Sequence, residues 1–120
     1  MKQDIEDLLQ LFRDKLGMAL GRNLEQVILY GSRARGDEGP DSDLDVLIVV
    51  RNSGSSEREM IHRIAYQIMW DREFKPLISL NIIDREHYLL LSKAGSSYLG
   101  NILREGKSLW PIIGTKASIG

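Results

Sequence analysis

The sequence predicts an α/β (α+β) fold, a small mixed β-sheet packed with helices, and three observations carry that expectation. Helical and strand periodicities follow one another in the order helix, strand, loop, strand, helix, strand, helix. The run "LDVLIVV" at 44–50 is almost wholly apolar, which implies a strand buried on both faces. The chain has 120 residues, 42% apolar and 28% charged, which suits one soluble globular domain with a single modest core. We expect that domain over residues 1–110, with 111–120 a loose tail.

In order, Ile5, Leu8, Leu9, Phe12, Leu16, Ala19 and Leu20 recur at helical spacing, predicting an amphipathic helix over 4–20 that Gly21 and Asn23 end. "QVILY" at 26–30 is a short β-rich run stopped by Gly31. The thirteen residues 31–43 then form a Gly-rich loop with room for one helical turn, long for a tight hairpin and therefore a functional loop. After the strand at 44–50, Ser56 and Glu59 have capping-box spacing ahead of a helix over 56–72, with Met60, Ile61, Ile64, Ala65, Ile68 and Met69 on its apolar face. Trp70 and Phe74 are expected to complete the core. "LISLNII" at 77–83 is a third strand in which Ser79, Asn81 and Ile83 share a face. Asp84 caps a short helix over 85–91. A last helix at 94–105 buries Tyr98, Leu99, Ile102 and Leu103 and stops at Gly106. "KSLW" at 107–110 adds an edge strand, and Trp110, Ile112 and Ile113 are apolar enough to pack on the domain or meet a partner.

The chemistry gathers in "YGSRARGDEGPDSDLDVLIVV" at 30–50. Side chains alternate along a strand, so Asp43 and Asp45 point the same way with Cα atoms roughly 6–7 Å apart. Two such carboxylates can hold a divalent cation together. Oxygen donors without His or Cys favour Mg²⁺ or Mn²⁺ over Zn²⁺. Upstream, Gly31 lets a backbone N–H approach a phosphate oxygen and Ser32 adds a hydroxyl. Arg33 and Arg35 offer positive charge. Asp41, after Pro40, fits a turn better than a metal site.

Rival motifs fail on particular residues. Asp37 and Glu38 stand where a P-loop needs Lys and Ser or Thr. Val46 and Asn52 occupy the Gly and Glu positions of a calcium loop. No G-x-G-x-x-G is present. His62 and His87 have no partner at metal-ligand spacing, and Arg51, Arg58, Arg63, Arg72 and Lys75 read as solvated faces. The chain has no cysteine, which excludes disulfides and thiolate chemistry. Its formal charge of -1 disfavours a nucleic-acid partner. The acidic start has no apolar signal region, and no run approaches a membrane span, so a cytoplasmic protein is expected.

"GSRARG" followed by "SDLDVLIVV" resembles the signature of the nucleotidyltransferase superfamily that includes DNA polymerase β. The surrounding elements are most similar to the minimal nucleotidyltransferases, with "LYGSRARGD" and the weaker "REGKSLW" as shared features. The resemblance implies the polymerase β-like fold. It also implies that Gly31, Ser32 and Arg35 bind a nucleoside triphosphate while Asp43 and Asp45 bind Mg²⁺ and carry catalysis. The implied reaction transfers a nucleoside monophosphate, AMP from ATP, to an acceptor hydroxyl. In that family a third carboxylate lies on the third strand; here no acid stands there, and Asn81 is the nearest positional match, with Ser79 beside it. An amide binds metal weakly and cannot take a proton. The resemblance therefore leaves two expectations: an enzyme, or a nucleotide-binding module that acts by binding a partner. For the enzyme, a partner protein or a homodimer would supply the acceptor surface; for either reading the resemblance implies a HEPN toxin as the protein partner, in an antitoxin-like pairing.

Overall fold

A computed structural model of the chain describes residues 3–36, 39 and 42–111. The expectations for Asp41, Ile112 and Ile113 fall outside the described residues. The elements run α1 (Gln3–Leu20), β1 (Leu24–Tyr30), α2 (Ser32–Arg35), β2 (Leu44–Val50), α3 (Ser55–Asp71), β3 (Ile78–Asp84), α4 (Arg85–Lys93), α5 (Ser97–Glu105) and β4 (Lys107–Trp110). The sheet order is β3-β2-β1-β4; β2 and β3 are parallel, and the other neighbours are antiparallel. The expected mixed sheet is what forms, with "KSLW" at its edge.

Burial explains the order. Six of the seven residues of β2 are buried, Asp45 being the exception, so this strand takes the centre with a neighbour on each side and helices over both faces. Parity divides its residues. Leu44, Val46, Ile48 and Val50 join Val27, Leu29, Ile78 and Ile82 beneath α1 and α3, where Phe12, Leu16, Ile61 and Ile68 complete the larger core. Leu47 and Val49 join Ile28 and Ile83 on the opposite face, covered by Leu99 and Ile102 of α5 and by Tyr88 and Leu91 of α4. Each fully buried Leu, Ile or Val contributes roughly 1.5–3 kcal/mol. The backbone that presents Asp45 is therefore held from both sides.

Several expectations need correction. Strand β1 begins two residues earlier than the periodicity indicates, with Leu24 buried and paired to Val50 across a bulge. Helix α3 is capped not from Ser56 but at Gly54, whose N–H donates to Glu57 Oε1 at 3.0 Å. The last helix starts at Ser97. Gly95 takes a left-handed φ of 68° and Ser96 Oγ accepts from the Leu99 N–H, so 94–96 connect α4 to α5. Trp70 is 60% exposed. It lies two residues beyond Ile68, about 200° around the helix from the buried stripe. Tyr98 and Leu103 flank the Leu99 and Ile102 stripe by one residue each and are exposed for the same reason. Trp110 packs over Gly17 and donates from its indole N–H to the Leu24 carbonyl at 3.2 Å.

Candidate active site

Where β1 ends and β2 begins, Tyr30 and Asp45 are cross-strand partners. The chain leaves β1 through Gly31, at φ 82° and ψ -161°, a region open essentially only to glycine. A Cβ at Gly31 would collide with Asp45 Oδ2 and lie 3.2 Å from its Cγ. Glycine is thus required twice, by the backbone angle and by the carboxylate lying against it. The helical turn expected inside the loop is α2, whose Ala34 and Arg35 N–H groups donate to the Gly31 carbonyl at 3.1 and 3.2 Å. Gly36 ends it in the left-handed region.

Arg33 does not join Arg35 in facing the acids. It is 7% exposed, and its Nε donates to the Ser42 carbonyl at 2.9 Å. Ser42 also accepts at Oγ from the Gly39 N–H at 2.8 Å and donates its own N–H to the Gly39 carbonyl. These contacts fasten the return limb of the loop to α2 one residue before Asp43. Asp43 is exposed at the mouth of β2, and Asp45 is half-buried two residues on. Burial pushes the Asp45 carboxyl above its ordinary range, the charge of Asp43 adds to the rise, and Arg35 opposes it. Two acids sharing one place therefore leave a demand for positive charge.

The register of the parallel pair decides what β3 offers. Ser79 stands level with Asp45, whereas Asn81 stands level with Leu47. Asn81 is thus roughly 6.6 Å further along the strand, away from Asp43. Its Nδ2 donates instead to the Tyr98 hydroxyl. Tyr98 sets its ring edge-on to Tyr30, with centroids 6.4 Å apart at 84°. The Tyr30 phenol is held well above its ordinary pKa, first by burial and then by the neighbouring Tyr98 and Asp45 groups.

Beside this row a cleft of about 300 Å³ opens between the end of β1, α2 and α5, lined by Tyr30, Gly31, Arg35, Tyr98, Asn101, Ile102 and Glu105. Arg35 and Glu105 lie 3.7 Å apart across it. Larger hollows of about 490 and 560 Å³ lie elsewhere; Asp43 and Asp45 line none of the three, but this cleft alone of them holds Gly31 and Arg35. The structure therefore brings together Gly31, Asp45 and, through its charge, Arg35, with Asp43 at the mouth. Sequence reasoning missed Tyr30 and the α5 wall. A signal for the wall was present, because Tyr98, Asn101 and Glu105 recur at i, i+3 and i+7 as a polar stripe beside Leu99 and Ile102.

Among the described residues, no three or more His, Asp or Glu side chains gather closely enough to hold a metal ion. No helix among them is long and apolar enough to cross a membrane.

Comparison with known proteins bears on the family and the fold. The family described as "Nucleotidyltransferase domain" matches residues 5–93, which span every element from α1 to α4. A Methanocaldococcus jannaschii protein, provisionally named a protein adenylyltransferase, is 36% identical over 78 residues, 62% of this chain and 79% of that protein. A solved toxin–antitoxin complex with AMP-PNP shares the fold at TM-score 0.53 and 19% identity, covering 91% of this chain and 76% of that one. A structure from Sulfolobus solfataricus, provisionally named a nucleotidyltransferase, gives TM-score 0.50 at 21% identity, with 92% and 88% covered. With the glycine turn set against Asp45 and the family match running from the first helix through the fourth, the chain belongs to the nucleotidyltransferase domain family.

Proposed function

We propose that this chain is a Mg²⁺-dependent nucleotidyltransferase that moves AMP from ATP to a hydroxyl group on a partner protein. The observation that carries the reading is the contact between Gly31 and Asp45, which joins a phosphate-approach turn to a carboxylate on a rigid strand. Asp43 and Asp45 would hold Mg²⁺, or Mn²⁺ with the same oxygen donors. A pair of acids suffices for an ion completed by substrate phosphates and water, and the raised pKa of Asp45 fits a site that gains from positive charge. When bound, the ion supplies charge neutralisation and Lewis acidity at the phosphates. Gly31 and Ser32 offer a backbone donor and a hydroxyl to the triphosphate, and Arg35 offers charge. A bond forms between the acceptor oxygen and the α-phosphorus, the α–β bridging bond breaks, and pyrophosphate leaves with its electron pair while the acceptor proton passes to solvent. The protein's contribution is positioning and electrostatics.

The relative named as a protein adenylyltransferase supports AMP as the group and a protein as the acceptor. The resemblance to minimal nucleotidyltransferases makes a HEPN-type toxin the first acceptor to test, ahead of a homodimer, and the fold shared with a toxin–antitoxin complex holding AMP-PNP fits that choice. The reading takes 1–110 as the transferring domain, 111–120 as a tail, and a cytoplasmic setting where ATP and Mg²⁺ are supplied. One observation favours a second reading. On β3 the residue level with Asp45 is Ser79, and Asn81 is engaged by Tyr98, so a module that binds nucleotide and partner with little turnover fits the same geometry.

ATP labelled at the α-phosphate, with Mg²⁺ and a candidate HEPN protein, separates the two. Label on the acceptor, lost in Asp43→Ala and Asp45→Ala, supports the enzyme; nucleotide binding without label supports the module. Absence of Mg²⁺–ATP binding would overturn both.

A further inference from the structure

Asn81, Tyr98 and Tyr30 come from three separate elements and form a continuous path to Asp45. Asn81 Nδ2 donates to the Tyr98 hydroxyl, Tyr98 meets Tyr30 edge-on, and Tyr30 is the cross-strand partner of Asp45. Tyr98 is 42% exposed, and with Tyr30 it walls the cleft that begins at Gly31. Nothing else on β3 reaches Tyr98 in this way among the described hydrogen bonds. A phenol has one torsion that swings its ring across a cleft, and a hydrogen bond at its tip removes that freedom. Asn81 is also level with Leu47 rather than with Asp45, which takes it away from a cation held by Asp43 and Asp45.

We propose that Asn81 is a positioning residue for the nucleotide site, fixing through Tyr98 the aromatic wall against which the bound nucleotide rests. The proposal rests on the nucleotidyl-transfer reading above and assigns Asn81 a task other than binding metal. Removing its grip releases Tyr98, and the nucleotide must then order the wall as it binds. Nucleotide affinity falls while the dependence on Mg²⁺ stays where it was.

The test is a double-mutant cycle on the full chain, with Mg²⁺–AMP-PNP titrated calorimetrically into wild type, Asn81→Leu, Tyr98→Phe and the double variant. Unfolding midpoints are measured in parallel, and all titrations run below the lowest of them. Each single change is expected to weaken binding roughly five- to tenfold, the scale of one lost hydrogen bond, and the double variant to be no weaker than about tenfold. Tyr98→Phe keeps the packed ring, so it carries the test if Asn81→Leu does not fold. Binding within about twofold of wild type in Tyr98→Phe, or losses that multiply to roughly fiftyfold in the double variant, would overturn the proposal. So would a tenfold higher Mg²⁺ requirement in Asn81→Leu, which marks a metal ligand. A wild type that does not bind Mg²⁺–AMP-PNP defeats the functional reading itself, a result distinct from any of these.

Discussion

The two ends of the sheet treat their acids in opposite ways. At one end Glu25, near the start of β1, lies between Arg85, which donates to it from both Nε and Nη2, and Arg51, 3.5 Å away. The hydrogen bond from Arg85 leads the effects that hold the Glu25 carboxyl below its ordinary range, against a smaller rise from burial. At the other end burial and the neighbouring Asp43 push Asp45 upward, and Arg35 does not reverse the shift. An acid that serves the fold is accompanied by cations of the same chain. At the mouth of β2, Arg35 offsets only part of what burial and the charge of Asp43 do to Asp45.

The largest effect that would sharpen this contrast is on transfer. Asp43→Asn and Asp45→Asn are each expected to lower AMP transfer at least about a hundredfold, whereas Glu25→Gln leaves it within about twofold; a labelled-ATP assay reads both. Next comes the glycine that gives Asp45 its place. Gly31→Ala meets both an unfavourable φ and the Asp45 carboxylate, so we expect a loss of about 2 kcal/mol in denaturant unfolding together with loss of transfer. Gly36→Ala shares a positive φ of 84° but has open space around the new methyl. It should lose only about 1 kcal/mol and keep transfer.

Smaller effects concern metal and pH. Without Mg²⁺, Asp45→Asn should raise the unfolding midpoint at neutral pH, because it removes an acid that is harder to ionise in the fold than out of it. Added Mg²⁺ and nucleotide should raise the midpoint of wild type and not that of the variant. Acid titration separates the two ends by sign. Glu25 has a lowered folded pKa, so its stabilisation is present above the ordinary carboxylate value and is lost as pH falls through the folded value. Asp45 has a raised folded pKa, so the penalty of its charge is present at neutral pH and is relieved as pH falls through that value. The deficit of Glu25→Gln and the gain of Asp45→Asn should therefore both shrink on acidification, the first below the ordinary glutamate value and the second above the ordinary aspartate value. Equal midpoints for wild type and Asp45→Asn at neutral pH would erase the contrast.

How much was legible follows from what periodicity encodes. The run at 44–50 announced the central strand because continuous apolar character has few other uses in a small domain. Asp43 and Asp45 shared a face by parity alone. Ser79 and Asn81 also share a face, so parity could not choose between them. The choice is made by the register of β3 on β2, set after a seventeen-residue helix has crossed over the sheet. Trp70 and Tyr98 misled for a related reason, since large rings one or two residues off a buried stripe look apolar in sequence yet face solvent or a cleft. The pairing of Tyr98 with Asn81 and Tyr30 is long-range, and no local pattern foretells it.

The Arg33 staple carries a consequence for how such a domain can diversify. Because its guanidinium clasps the Ser42 carbonyl from within α2, the spacing between the glycine turn and the first acid is fixed by a clasp rather than by the intervening letters. With the chain held at Arg33 and again at Ser42, length added between these two points should cost only about 0.6 kcal/mol of closure entropy for each doubling. A peptide grafted into that interval is expected to leave Asp43 and Asp45 where they are.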